Sequence, residues 1–110
     1  MLYLTANTKI WLATDPVDFR RQLDGLISLC QTQFKQDPRS GHLFVFINRC
    51  RSMIRVLCYD ENGYWLATKR LSRGRYTLWP STVTDSLSER HASDLTKILK
   101  TFVAPRRYRV

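Results

Sequence analysis

The sequence predicts a single α+β domain, in which a small, mostly antiparallel β-sheet is covered on one face by one long and one short helix. The chain of 110 residues has the size of one domain, and its apolar content of 44% is enough to build one core. The spacing of its apolar residues changes between the strand and the helix period in the order β-α-β-β-β-(β)-α. We expect the domain to span residues 1–104 and to be followed by a basic tail at 105–110.

The first half of the chain predicts a strand, a long helix and a central strand. KIWLAT (9–14) is rich in β-forming residues. Asp15 fits the N-cap and Pro16 the first turn of a helix of about five turns, which must end before Pro38. The apolar stripe of this helix consists of Phe19, Leu23, Leu26, Ile27, Cys30 and Phe34. HLFVFIN (42–48) is almost continuously apolar, which is typical of a central strand.

The second half predicts a meander of strands and a short helix. MIRVLCYD (53–60) and YWLATKRL (64–71) flank Glu61-Asn62-Gly63, a hairpin signal because Asn and Gly tolerate the positive φ of tight turns. RYTLWP (75–80) predicts a further strand that ends at Pro80. After a polar segment, a short amphipathic helix is indicated by Leu95, Ile98, Leu99 and Phe102.

The charge balance indicates a polyanionic partner. Eighteen Lys and Arg residues outnumber nine Asp and Glu residues, and the formal net charge is +9. Most of this excess lies beyond residue 50. Neutralising phosphates with release of counterions would give favourable, salt-sensitive binding to nucleic acid. The alternative is a basic, well-solvated surface, since charged edge strands also suppress aggregation.

Enzymatic chemistry has little support in the residues. A metal-dependent nuclease needs carboxylates that converge on one cation, and the candidates Asp18, Asp24 and Asp60 do not share one helix face or one strand. No nucleophile or phosphate-loop motif is present. We therefore expect a non-enzyme with no catalytic residues, no metal, no cofactor and no small-molecule substrate.

Cysteine usage and hydropathy predict a cytoplasmic protein. Cys30, Cys50 and Cys58 show no C-x-x-C spacing, and three unpaired cysteines suit a reducing compartment. The first residues lack the pattern of a signal peptide. No apolar run approaches the roughly 20 residues that span a bilayer, so no membrane partner is expected.

KRLSRGRYTLWP (69–80) is the strongest candidate for a contact surface. Under a DNA-binding hypothesis, this stretch provides phosphate contacts and a stacking ring through Lys69, Arg70, Arg73, Arg75 and Tyr76. Arg20, Arg21 and Arg55 could extend the same footprint. Under a protein-docking hypothesis, the anchors are instead the aromatic residues Trp65, Tyr76 and Trp79.

Three stretches carry a resemblance to a known family: WLATDPVDFRRQLDGL (11–26), DPRSGHLFVF (37–46) and KRLSRGRYTLWP (69–80). They resemble, in order and spacing, the accessory protein of insertion sequences of the IS-sixty-six type, called TnpB or Orf-two. The sequence departs from the family pattern at Cys58, where a tryptophan is usual, and at 101–104 near the end.

The resemblance implies a non-catalytic accessory protein of DNA transposition, because the strand-cutting transposase of such elements is a separate, larger protein. Its expected partners are DNA at the element ends and the transposase of the same element. An adaptor that binds the transposase without touching DNA is the alternative, followed by a general basic RNA- or DNA-binding domain.

Overall fold

A five-stranded sheet forms the centre of the molecule. The computed structural model describes residues 8–80, 87–90, 92–100 and 102–103. The strands of this sheet, in chain order, are β1 (Ile10–Ala13), β2 (Leu43–Ile47), β3 (Met53–Asp60), β4 (Gly63–Arg70) and β6 (Leu87–Arg90). Their order across the sheet is β4-β3-β2-β1-β6, with β1 and β2 parallel and every other neighbouring pair antiparallel.

Two helices and a small second sheet complete the described chain. Helix α1 (Leu23–Thr32) connects β1 to β2, and α2 (Ala92–Lys100) follows β6. The short strands β5 (Arg75–Tyr76) and β7 (Phe102–Val103) pair with each other. The α+β class is confirmed. The strand at 87–90 and the strand at 102–103 were not part of the predicted order, and the predicted tail at 105–110 lies outside the described residues.

The two helices cover opposite faces of the sheet, so the prediction that both cover one face is wrong. All five residues of β2 are buried, but they alternate between two cores. Leu43, Val45 and Ile47 pack in a core with Leu95 and Ile98 of α2. On the other face, β2 and α1 meet in a second core, to which they contribute Phe44, Phe46, Leu26, Leu29 and Cys30.

Helix α1 is shorter than the predicted helix of five turns. It has ten residues and its N-cap is Gln22, so Asp15 is not the cap and Phe19 lies before the helix. The preceding segment is held by distant partners, because the N–H of Val17 donates to the carbonyl of Ile47 at 2.8 Å. The carbonyls of Phe19 and Arg21, which a helix would use internally, accept hydrogen bonds from the Arg55 side chain instead.

The β3–β4 hairpin is confirmed in its position, but its turn differs from the expectation. Asp60 pairs with Gly63, so Glu61 and Asn62 form a two-residue loop. Neither has a positive φ, and positive values occur at Gly41 and Gly74 and at Lys35 and Arg51. The turn therefore forms without the positive φ that the sequence pattern predicts for Asn62 and Gly63.

Candidate nucleic-acid interface

Seven arginines of the described part of the chain lie at one end of the sheet. Because β1, β2 and β4 run in the same direction and β3 runs against them, the segments after β1, between β2 and β3, and after β4 meet at this end. We call these residues the arginine end: Arg20, Arg21, Arg49, Arg51, Arg70, Arg73 and Arg75. Five of the seven are exposed, and Arg51 and Arg73 are half-buried.

Backbone hydrogen bonds join the three segments of the arginine end. The N–H of Leu71 donates to the carbonyl of Ser52 at 2.9 Å, and the N–H of Tyr76 donates to the carbonyl of Arg51 at 2.8 Å. The bond from Val17 to Ile47 attaches the segment after β1 in the same way. Main-chain hydrogen bonds therefore fix the relative positions of the three backbone segments that carry the arginines.

Asn48 shapes the turn that presents Arg49 and Arg51. Its side-chain oxygen accepts from the N–H of Ser52 at 2.9 Å and from that of Met53 at 3.1 Å, while its amide nitrogen donates to the hydroxyl of Ser52. Arg51 adopts a φ of 59°, in the left-handed region, and its N–H donates to the carbonyl of Asn48. Asn is well suited to this position because its short side chain caps its own turn.

Arg20 is neutralised locally. Its guanidinium forms a forked ion pair with Asp18, with the closest N–O distance at 2.6 Å, and its backbone N–H donates to the same carboxylate. The hydrogen bonds from Arg20 lower the pKa of Asp18 to about 2. The ion pair with Asp18 therefore offsets much of the positive charge that Arg20 adds to the arginine end.

The arginine end is more positive than the opposite end of the sheet. Among the described residues, its seven arginines lie near three acidic residues, Asp15, Asp18 and Asp24. The opposite end has the β3–β4 turn, the start of β1 and β2 and the end of β6, and its described charged residues balance: Lys9, Lys35, Arg39 and Arg90 against Asp37, Asp60, Glu61 and Asp94. A field of one sign at one end attracts a polyanion to that end.

Arg55 does not belong to this surface, although it was a predicted DNA contact. Its Nη1 atom donates to the carbonyl of Phe19 at 3.0 Å and to that of Arg21 at 2.8 Å. Its guanidinium also lies over the ring of Phe19, 4.6 Å from the centroid. Arg55 therefore attaches the segment before α1 to β3, and its charged guanidinium contacts groups of the same chain.

Tyr76 and Trp79, predicted as stacking or docking residues, are core residues. Tyr76 is fully buried, and burial raises the pKa of its hydroxyl. Trp79 is 9% exposed, and its indole N–H donates to the carbonyl of Ala13 at 2.9 Å. Neither ring can meet a base or a partner without unpacking the core on the α2 face.

Lys69 and Trp65 lie on β4, on the face that α2 covers. The Lys69 ammonium lies 3.4 Å from the carbonyl of Leu99, close to the end of α2, where a cation is favourable. Trp65 is 42% exposed and donates its indole N–H to Asp60. Of the three predicted docking aromatics, Trp65 is the one at the surface.

Comparison with known proteins identifies the family. The model of the family described as IS66 Orf2 like protein matches residues 8–104. The chain belongs to this family. It is also similar to two proteins of Sinorhizobium fredii (strain NBRC 101917 / NGR234), both described as uncharacterized. y4hO is 41% identical over 81 residues, 74% of this chain and 70% of that protein. y4jC is 38% identical over 80 residues, 73% of this chain and 68% of that protein.

No solved structure matches this member of the IS66 Orf2 like family. Membership associates the chain with transposition in an accessory role. Within the described residues, no helix is long and apolar enough to cross a membrane.

Sequence reasoning missed Arg49, Arg51 and Asn48. The string NRCRS (48–52) lies between two predicted strands and no role was predicted for it, although two of its five residues are arginines. The available signal was an Asn directly after a buried strand, which is typical of a side chain that caps its own turn. Their proximity to Arg73 and Arg75 depends on strand direction and on hydrogen bonds between residues about 20 or more positions apart in the chain, from Leu71 to Ser52 and from Tyr76 to Arg51.

The nuclease alternative gains nothing from the geometry of this family member. Asp18 lies at the arginine end and Asp60 at the opposite end, where it accepts a hydrogen bond from Trp65. No group of three or more His, Cys, Asp or Glu residues that could hold a metal ion occurs within the ranges that the structure describes.

Proposed function

We propose that the protein is a non-catalytic accessory factor of transposition that acts in the cytoplasm and binds the DNA of its element through the arginine end. The observation that carries the proposal is the convergence of arginines from three separate segments on one end of the sheet. Guanidinium groups pair with phosphate oxygens through two parallel N–H donors, which suits them to a nucleic-acid backbone.

The proposed ligand is the phosphate backbone of a duplex rather than the bases of a single strand. Binding of single strands relies on exposed aromatic rings on which bases stack. Tyr76 and Trp79 are buried, and Phe19 lies beneath the Arg55 guanidinium. Base stacking therefore has no part in the proposed contact, which relies on charge. The candidate phosphate contacts are Arg21, Arg49, Arg51, Arg70, Arg73 and Arg75.

The test is a triple variant, Arg21→Gln, Arg49→Gln and Arg75→Gln, which takes one exposed side chain from each segment. Binding to a labelled duplex from the element end is measured by fluorescence anisotropy over a range of salt concentrations. Each phosphate contact contributes about 0.9 to the slope of log K against log salt, so three lost contacts reduce the slope by about 2.7.

A matched control removes three positive charges at the opposite end: Lys9→Gln, Lys35→Gln and Arg39→Gln. It has the same net charge as the test variant but keeps the arginine end. We expect its affinity and slope to stay near those of the parent. Equal losses in the two variants would mean that net charge, not this surface, drives binding, and an unchanged test variant would refute the proposal.

The adaptor alternative is favoured by one observation, the exposed indole of Trp65. In that case the protein would bind the transposase, and the complex would survive nuclease treatment and high salt. Co-purification under those conditions, with loss of the complex on Trp65→Ala and no loss in the arginine triple variant, would support the adaptor over DNA binding.

A further inference from the structure

Strand β4 presents a long open edge. In the part of the chain that the structure describes, β4 pairs with β3 on one side and lies at the end of the sheet on the other. It has eight residues in continuous register with β3, and Trp65 and residues 67–70 are exposed. An edge of this length offers a row of backbone donors and acceptors for another strand.

The hairpin decides which backbone groups point outward. Asp60 and Gly63 close the two-residue loop, so they form a hydrogen-bonded pair. Inward and outward residues alternate from there, and the bond from the N–H of Leu71 to Ser52 continues the same alternation. Four residues of β4 therefore direct their N–H and carbonyl groups to the open edge: Tyr64, Leu66, Thr68 and Arg70.

We propose that two copies of the chain pair antiparallel through β4, about a two-fold axis at Ala67. This register places Tyr64 opposite Arg70 and Leu66 opposite Thr68 of the partner subunit, so each outward residue meets another outward residue. The four pairs would form about eight main-chain hydrogen bonds. The result is one continuous sheet across both subunits, the self-complementary contact that a two-fold axis requires.

The side chains of β4 are complementary to themselves in this register. Trp65 faces the partner's Lys69 on the α2 side, and Tyr64 faces the partner's Arg70 on the α1 side, which pairs an aromatic ring with a cation on each face. Ala67 meets its own copy at the axis, where a small side chain permits close approach.

The charges at the two ends of the strand favour a second copy as the occupant. The β3–β4 turn has Asp60 and Glu61, while the other end of β4 has Lys69, Arg70 and, just beyond, Arg73. Antiparallel pairing brings the acidic turn of each subunit beside the basic end of the other. A parallel arrangement would instead place like charges together.

The test places a charge at the axis. Ala67 is exposed, so Ala67→Glu and Ala67→Lys should each fold, which circular dichroism and thermal unfolding check. Sedimentation equilibrium of the full chain should show a dimer for the parent. Each variant would place two like charges opposite each other, which weakens self-association by at least about a hundredfold. An equimolar mixture of the two variants should recover the dimer, because Glu then faces Lys.

A parent that stays monomeric over the accessible concentrations would overturn the proposal, and so would a dimer that persists in either single variant. Failure of the mixture to associate would overturn the axis at Ala67. A second variant, Thr68→Pro, removes one outward N–H and leaves the bonds to β3 intact, so it should also be monomeric. The arginines in the DNA-binding test lie outside this interface, and the two proposals can fail separately.

Discussion

Replacing Arg55 with methionine tests the assignment of this residue to the structure rather than to a ligand surface. Methionine keeps an unbranched apolar chain against Phe19 but removes both hydrogen bonds to the carbonyls of Phe19 and Arg21. Those bonds hold the segment before α1 against β3. We therefore expect Arg55→Met to destabilise the fold without weakening binding to DNA.

The size of the effect follows from three contributions. Two charge-assisted hydrogen bonds to carbonyls near solvent contribute about 1.5 kcal/mol each, at the low end of their range. The cation–π contact adds about 0.5–1 kcal/mol. Among the residues that the structure describes, the Nε atom of Arg55 has no hydrogen-bond partner although it is buried, and its removal returns about 1 kcal/mol. The unfolding free energy should fall by about 2.5–3 kcal/mol, which lowers Tm by about 11–13 °C for a chain of this length.

The assay is urea unfolding of Arg55→Met beside Arg49→Met, which makes the same chemical change at an exposed side chain of the arginine end. Arg49→Met should stay within about 0.5 kcal/mol of the parent but bind DNA more weakly. A loss of stability below about 0.5 kcal/mol for Arg55→Met, or weaker DNA binding with unchanged stability, would refute the structural role of Arg55.

Two further predictions concern buried groups. Trp79→Phe loses the hydrogen bond to the carbonyl of Ala13 and should lower the unfolding free energy by about 1–2 kcal/mol. The control Trp65→Phe changes a surface residue and should alter the unfolding free energy by less than about 0.5 kcal/mol. Equal effects of the two variants in urea unfolding would contradict the burial of Trp79. Burial raises the pKa of the Cys30 thiol to about 12 and also raises the pKa of the Cys58 thiol, so both thiols stay protonated near pH 8. Of the three cysteines, only the exposed Cys50 should therefore react quickly with a disulfide reagent. Cys50→Ser should abolish the fast phase, and its persistence would show that a buried thiol is accessible.

The strands could be predicted from the sequence because their signals are local. The apolar run of β2 and the turn between β3 and β4 are both contained in short strings, and both appear where the pattern places them, although the loop has two residues instead of the three of Glu61-Asn62-Gly63. The same run also contained the evidence against a one-sided sheet. Five consecutive buried residues in a strand need cover on both faces, and α1 and α2 provide it.

The start of α1 could not be predicted because its determinants are distant. Asp15 and Pro16 form a good local helix start, and Phe19 continues the apolar stripe. Those preferences are outweighed by bonds to Ile47 and Arg55, which are about 30 residues or more away in the chain. Propensity is a weak guide where side chains from other elements compete for the same carbonyls.

The candidate site was also predictable only where its signal is local. A basic stretch at 69–80 was visible in the sequence, but its members separate in space. Arg70, Arg73 and Arg75 join the arginine end, Lys69 lies by α2, and Tyr76 and Trp79 enter the core. Arg49 and Arg51 replace them because β2 ends where β4 ends, a relation that only the register of β3 with both strands reveals.

The two proposals together imply a defined arrangement of binding surfaces. Antiparallel pairing through β4 directs the arginine ends of the two subunits toward opposite ends of the shared sheet. The arginine end of each subunit then lies beside the acidic β3–β4 turn of the partner subunit. Because that turn repels phosphates, DNA is attracted to the side of the arginine end that faces away from the interface. Two such surfaces on one dimer would hold two separate duplexes, whereas a monomer would hold one. The Ala67 variants therefore separate DNA binding, which needs one arginine end, from the joining of two DNA segments, which needs the intact edge of β4.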